Sequence, residues 1–128
     1  MSHITRERAG RRVAAPGYDA GFHDLGDGWT VAFEEFTADA DPAELFRGLP
    51  DDRCQCTHLG YVISGSITLR YPDRVEVVRA GDAYLVTPGH TPRVTAGTRV
   101  VEFSPTEALS RTVAVVGANL AAMAEAIR

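Results

Sequence analysis

Three side chains that commonly bind metal ions occupy alternate positions in one short stretch of the 128-residue chain, namely Cys54, Cys56 and His58. Successive side chains of a strand point to opposite faces, so these three share a face if the backbone is extended. His90, directly after a glycine, adds a fourth donor. Thiolates and imidazoles together suit zinc, with iron, nickel or copper as alternatives. The sequence therefore predicts a divalent metal site.

The expected ligand set is smaller than these four residues. Three ligands on one strand cannot all reach a metal at good angles unless the strand bends. This favours Cys54, His58 and His90 as the ligands, with Cys56 as a further candidate. A metal-free protein is the alternative, because buried cysteines also pack as small apolar groups and interior histidines often serve only as hydrogen-bond partners. Two cysteines separated by one residue are poorly placed for a structural disulfide, so we expect free thiols.

The elements that must position these residues are many short strands. Residues 29–37 alternate in the manner of a strand rich in aromatic and β-branched side chains. From residue 54 to 103, short apolar runs alternate with turns rich in glycine and proline, a spacing typical of a sandwich or a barrel. Apolar residues then recur at helical spacing from Val113 to Ile127. We expect an N-terminal extension over 1–28 that is frayed or docked on the barrel or a partner, a barrel over 29–104 and a helix over 105–128.

Two segments resemble the paired motifs of the cupin superfamily. Tyr61-Val62-Ile63-Ser64-Gly65 is similar to the end of the first motif, which runs His-x-His, three or four residues, Glu, six residues, Gly. Residues 81–90, Gly-Asp-Ala-Tyr-Leu-Val-Thr-Pro-Gly-His, are similar to the second, which runs Gly, five residues, Pro-x-Gly-x-x-His. The resemblance covers about residues 50–105. It implies an all-β fold, a small double-stranded β-helix (jelly-roll) barrel that binds a metal inside, here followed by a C-terminal α-helix.

The metal-ligand positions of that family are mostly replaced in this chain. The resemblance places His58 at the glutamate position, and Cys54 and Asp52 at the two preceding histidine positions. Pro92 stands where the second motif has its histidine, and His90 has the same strand parity as Pro92 and could still reach the interior. We therefore expect a small single-domain cupin with an altered metal-ligand motif.

Three functions fit these features, and the sequence leaves open whether the protein is an enzyme. The first is a cupin that binds a small molecule or a metal inside the barrel, with Tyr61, Tyr84 and Asp52 as ligand-binding candidates. The second, by family analogy, is a metal-dependent enzyme of the dioxygenase or isomerase kind. An iron facial triad needs two histidines and a carboxylate, which Asp52 could supply. The third is a structural or regulatory dimer whose interior is closed by side chains.

The charge and the hydropathy of the sequence indicate which classes of binding partner to expect. A net charge of −4 at pH 7 offers no basic surface for nucleic acid. No apolar run is long enough for a signal-peptide core or a membrane-spanning helix, so we expect no membrane partner and a cytoplasmic location. Cupin-like barrels often pair through edge strands, so we expect a homodimer with the N-terminal segment and the C-terminal helix as covers.

Overall fold

The computed structural model of the protein describes residues 3–127, which form two antiparallel β-sheets and a long C-terminal helix. The strands and the helix are β1 (Arg11–Ala15), β2 (Tyr18–Gly26), β3 (Trp29–Phe36), β4 (His58–Ser64), β5 (Ser66–Arg70), β6 (Val75–Arg79), β7 (Ala83–Val86), β8 (Thr91–Val94), β9 (Thr98–Pro105) and α1 (Thr106–Ile127). Short 3-10 helices lie at Arg6–Arg8, Pro42–Phe46 and Pro50–Asp52. The expectation of a mostly β chain that ends in a helix is confirmed.

The larger sheet has six strands in the order β1-β2-β3-β9-β4-β7, and the smaller has three in the order β6-β5-β8. In the larger sheet Phe36 lies opposite Thr98 and Leu59 lies opposite Phe103, so β3 and β4 flank β9. Gly65 joins β4 to β5 with a φ of +78°, and a Cβ there would lie 2.2 Å from the Thr98 hydroxyl oxygen. Only glycine fits that turn, which directs the chain from one sheet to the other.

The main hydrophobic core lies between the two sheets. It draws on β4, β7 and β9 of the larger sheet and on β5 and β8 of the smaller one. Its buried members are Val62, Ile67, Leu69, Tyr71, Tyr84, Val86, Val94 and Val100. Residues of both sheets therefore bury one another, which is how two half-apolar sheets form a stable domain.

Helix α1 covers a second, smaller core. Asn119 donates side-chain hydrogen bonds to the backbone carbonyls of Leu45 (2.7 Å) and Arg47 (2.8 Å), which fixes the helix on the segment before β4. Beneath it lie Phe46, Cys54 and Cys56, in contact with Leu49, Ala108, Leu109 and Val116. Among residues 3–127, α1 and the other helices lack the combination of length and apolar character that crossing a membrane requires.

The N-terminal segment is not frayed, which was one of the alternatives that we expected, and part of it pairs with the rest of the larger sheet. Residues 11–26 form β1 and β2, and β2 pairs with β3 from Tyr18 opposite Phe36 to Gly26 opposite Trp29. The arginine-rich and glycine-rich composition hid this hairpin, because Gly10, Gly17 and Gly21 interrupt its apolar pattern. The division at residues 28 and 104 stays a prediction, and residues 1, 2 and 128 lie outside the described residues.

The two faces of the six-stranded sheet differ in character. On β3, β4 and β9 the even-numbered residues face the smaller sheet; we call this side the inner face. The odd-numbered residues of these strands form the outer face. The inner face carries Glu34, His58, Glu102 and Ser104 among its apolar residues, whereas the outer face presents large apolar side chains such as Leu59, Tyr61 and Phe103.

Candidate metal centre

Cys54 and His90 are brought together by backbone pairing. The Cys54 N–H donates to the His90 carbonyl at 2.9 Å, and the N–H groups of Gly89 (2.8 Å) and His90 (3.3 Å) donate to the Cys54 carbonyl. Gly89 adopts a φ of +96°, a left-handed conformation that lets the chain turn into this bridge. The sequence pattern Pro-Gly-His after β7 therefore serves to place one imidazole beside one thiol.

His58 completes a cluster of three donors. It is the first residue of β4, and its side chain points from the inner face toward Cys54. Ligand atoms of Cys54, His58 and His90 all lie within 4.8 Å of one another, and the three residues are only 2%, 7% and 3% exposed. The two imidazole rings meet edge to face, with centroids 5.3 Å apart. The structure thus brings together the three residues that the sequence favours as ligands.

The spacing of these atoms fits a tetrahedral metal. The Cys54 Sγ lies 3.6 Å from the His58 Nε2. A tetrahedral zinc with ordinary Zn–S and Zn–N bonds separates sulfur from nitrogen by about 3.6 Å. The ligand atom of His90 lies within 4.8 Å of the other two, and a site with three protein ligands would leave a fourth position for water or a ligand, as in open zinc sites.

Hydrogen bonds on the far side of each imidazole orient it for metal binding. The His90 Nδ1 lies 2.7 Å from the Thr87 carbonyl, which only accepts, so Nδ1 carries the proton and Nε2 has a free lone pair. The His58 Nδ1 lies 2.7 Å from the Ser104 hydroxyl and 3.5 Å from the Glu102 carboxylate, while its Nε2 faces Cys54. Such outer partners are typical of histidines that bind metals.

Burial sets the protonation of the three ligands. It lowers the pKa of His58 to about 4, and that of His90 also to about 4, so both imidazoles are neutral at pH 7. Burial raises the pKa of the Cys54 thiol, and the Thr112 hydroxyl from α1, 3.7 Å from the sulfur, acts against that rise. A metal would therefore find two neutral imidazoles and would displace one thiol proton on binding.

Three other predicted site residues, Cys56, Asp52 and Tyr61, lie away from this cluster. Cys56 is buried beneath α1, its thiol donates to the Thr57 carbonyl at 3.4 Å, and burial raises its pKa to about 12. Asp52 is exposed at the end of the 3-10 helix Pro50–Asp52, where its carboxylate accepts from the Gly48 N–H at 2.9 Å. Tyr61 has the opposite parity to His58 on β4 and is 46% exposed on the outer face. The structure does not bring these three residues to the cluster.

Tyr84 does lie on the inner face, close to the cluster. Its hydroxyl donates to the Glu102 carboxylate at 2.8 Å, and Glu102 in turn lies beside His58. Gly60 makes room for the ring, since a Cβ at this position would lie 2.4 Å from the ring carbon that bears the hydroxyl. The glycine directly preceding the Tyr-Val-Ile strand therefore admits a polar aromatic side chain to the inner face.

Sequence reasoning missed two carboxyl groups on the inner face, Glu34 and Glu102. Each accepts a hydrogen bond from a tyrosine hydroxyl, Glu34 from Tyr18 and Glu102 from Tyr84. Burial raises the pKa of both, and the nearby Glu102 carboxylate raises that of Glu34 further. Strand parity is the only signal for the pair: Glu34 and Glu102 share the parity of Thr30 and Ser104 on the same two strands, but the sequence does not show which parity faces inward.

Comparison with known proteins supports the fold. No family model and no curated protein match the sequence. The polyketide cyclase RemF from Streptomyces resistomycificus is similar in structure, with a TM-score of 0.54, 22% identity and coverage of 83% of this chain and 80% of that one. PAC13 from Streptomyces, solved with uridine, is similar with a TM-score of 0.56 and 16% identity, and the match covers 82% of each chain. An RmlC-like cupin from Shewanella frigidimarina is similar with a TM-score of 0.51 and 17% identity, and the match covers 77% of this chain and 86% of that one. The chain has a cupin-type fold.

Proposed function

We propose that this protein binds a divalent metal through Cys54, His58 and His90 and receives a small molecule beside it. The observation that carries the proposal is that three buried ligand side chains converge. In the two histidines, the Nδ1 atom is held by a hydrogen bond, which leaves Nε2 for the metal. Zinc is the first expectation and iron or nickel the alternatives, because one thiolate and two imidazoles suit all three metals. A bound zinc would supply Lewis acidity at an open coordination position.

The place for the small molecule follows from the inner face. We infer that the two sheets close as a jelly-roll barrel, with the metal ligands at one end of the interior and the pair Tyr84–Glu102 next to them. The tyrosine hydroxyl and the carboxyl group offer polar contacts to a hydroxylated or carbonyl-bearing ligand. A fold neighbour solved with uridine lends support to a small organic ligand. A cytoplasmic location remains part of this proposal.

A metal-dependent enzyme of the isomerase kind is the second candidate. Its specific support is the pair Glu34 and Glu102, since a carboxyl group with a raised pKa can hold a proton near neutral pH and return it to a substrate. The dioxygenase alternative has less support, because the exposed Asp52 is in no position to complete a facial triad. A structural or regulatory dimer with a closed interior is the third candidate.

Metal analysis of the protein, purified without a nickel column, tests the first proposal. We expect about one zinc, iron or nickel per chain, and a Cys54→Ser variant that retains less than a tenth of it after dialysis against a weak chelator. Cys56→Ser is the matched control, because it removes a buried thiol outside the cluster and should keep the metal. A metal-free parent, with Cys54→Ser and His58→Ala variants as stable as the parent, would refute the proposal. Turnover with carbonyl and phenolic compounds would favour the enzyme over the binder.

A further inference from the structure

The outer face of the six-stranded sheet is apolar where an exposed sheet face is normally polar. Six large apolar side chains lie on this face or at its end, with exposed fractions of 36–59%: Trp29, Leu59, Tyr61, Ile63, Leu85 and Phe103. Five of them, all except Trp29, lie on the adjacent strands β9, β4 and β7, where Leu59 is opposite both Phe103 and Leu85. We call these five residues the outer patch.

The central strand of the smaller sheet, β5, shows the ordinary pattern. On β5 the residues that alternate with the buried Ile67 and Leu69 are Ser66, Thr68 and Arg70, which are all polar. In a sheet with one solvated face, apolar residues that point inward alternate with polar residues that point outward. The outer patch breaks that rule on three neighbouring strands at once, which marks it as a covered surface rather than a chance run of exposed residues.

The chain itself covers only the other half of this outer face. Residues ahead of β1 cross β2 and β3, where Ala9 packs on Gly21 and the Arg6 guanidinium lies 2.9 Å from the Glu35 carboxylate. Val31, which belongs to the outer face of β3, is only 2% exposed. The contacts of these residues reach β2 and β3, whereas the outer patch lies on β9, β4 and β7.

We propose that a second copy of this chain covers the outer patch, sheet face against sheet face. Side chains of this size have about 200 Å² of surface each, so the five residues of the outer patch, at 36–59% exposure, offer about 470 Å² of apolar surface. A standard interface buries about 800 Å² per partner, of which about 60%, or about 500 Å², is apolar. The area available matches what a stable dimer needs, which makes a two-fold partner sufficient to cover it.

The chemistry of the patch suits its own copy better than a membrane. Its five residues carry no charge, so two patches related by a two-fold axis meet without like-charge repulsion. Two antiparallel sheets stack in this way at about 10 Å with interdigitated side chains. The chain has a net charge of −4, which disfavours the anionic surface of a bilayer. This dimer uses a sheet face, whereas the homodimer that we expected from the sequence pairs edge strands.

Sedimentation equilibrium of the full chain and of Leu59→Arg tests this inference. The parent should sediment at twice the 13.8 kDa chain mass, and the arginine, placed between Phe103 and Leu85, should raise the dissociation constant at least about 30-fold. Val77→Arg is the matched control, because Val77 is 40% exposed on the smaller sheet and its replacement should leave the dimer intact.

Three results would overturn the inference. The first is a parent that stays monomeric at 100 µM, and the second is a parent monomer that floats with neutral phospholipid vesicles. The third is a Leu59→Arg dimer as tight as the parent, which would return the interface to an edge strand. Circular dichroism checks that each variant is folded. Metal content, measured on the same samples, reports separately on the proposed function, because Leu59 and His58 point to opposite faces of β4.

Discussion

The two faces of the six-stranded sheet each depart from the usual polarity, since the apolar inner face includes a polar cluster and the outer face exposes large apolar side chains. On the inner face, Glu102 and Ser104 both lie beside the His58 imidazole, whereas the outer face exposes residues such as Leu59 and Phe103. Polar groups in an interior are costly unless they are paired, and here each has a hydrogen-bond partner. Fold stability would be served by the reverse arrangement. The inner face is therefore organised for a site and the outer face for contact with another surface.

The largest expected effect tests how tightly the inner face is packed. Gly60→Ala should lower the free energy of unfolding by about 3 kcal/mol, because the added methyl group would overlap the Tyr84 ring. Chemical denaturation of parent and variant measures the difference. Gly117→Ala is the control, since a Cβ there meets nothing within 4 Å and should stabilise helix α1 by up to about 1 kcal/mol. Equal stability of parent and Gly60→Ala would show that the inner face is looser than described.

Much of the fold could be predicted from the sequence, since β3 and the C-terminal helix fall within a residue or two of their expected bounds. The donor set Cys54, His58 and His90 was also within reach, because alternate spacing and the Pro-Gly-His turn are local signals. The carboxyl groups of Glu34 and Glu102 on the inner face could not be predicted in this way. With apolar residues on both faces, alternation indicates a strand without indicating which side is buried. For this reason Tyr61, which lies on the outer face, was among the predicted ligand-binding residues, and Glu34 was missed.

A second prediction separates residues that orient the ligands from residues that only pack. Ser104→Ala removes the hydroxyl beside the His58 Nδ1 and should weaken metal affinity by 10-fold to 100-fold, measured by competition with a chromogenic chelator. Ser64→Ala removes a hydroxyl that donates to the Gly97 carbonyl at an exposed position, and it should leave the affinity unchanged. If both variants bind metal as the parent does, the hydrogen bond to His58 has no part in metal binding.

The smallest expected effect concerns the carboxyl pair and pH. A glutamate whose folded-state pKa is raised stabilises the fold below its unfolded pKa, and this contribution is lost as pH rises through the folded value. Glu34→Gln should therefore gain stability relative to the parent as pH rises from about 4.3 to about 8, while its amide oxygen still accepts from Tyr18. Urea unfolding at both pH values measures this gain.

The control for that gain is the next residue of β3, which belongs to the outer face. Glu35→Gln removes an ion pair with Arg6 and should show no stability gain on raising the pH. A Glu34→Gln variant whose stability relative to the parent falls between the two pH values would mean that the Glu34 carboxylate is better stabilised on the inner face than in water. The contrast between neighbouring residues of one strand then reports directly on the two faces.

The central claim is that the inner face ends in a centre of one thiolate and two imidazoles. X-ray absorption of the zinc-loaded protein tests it most directly, because sulfur and nitrogen ligands scatter at distinct distances. We predict one sulfur at about 2.3 Å and two histidine nitrogens at about 2.0 Å, with a lighter fourth ligand. A spectrum without sulfur, or with two sulfur ligands, would contradict the assignment of Cys54, His58 and His90.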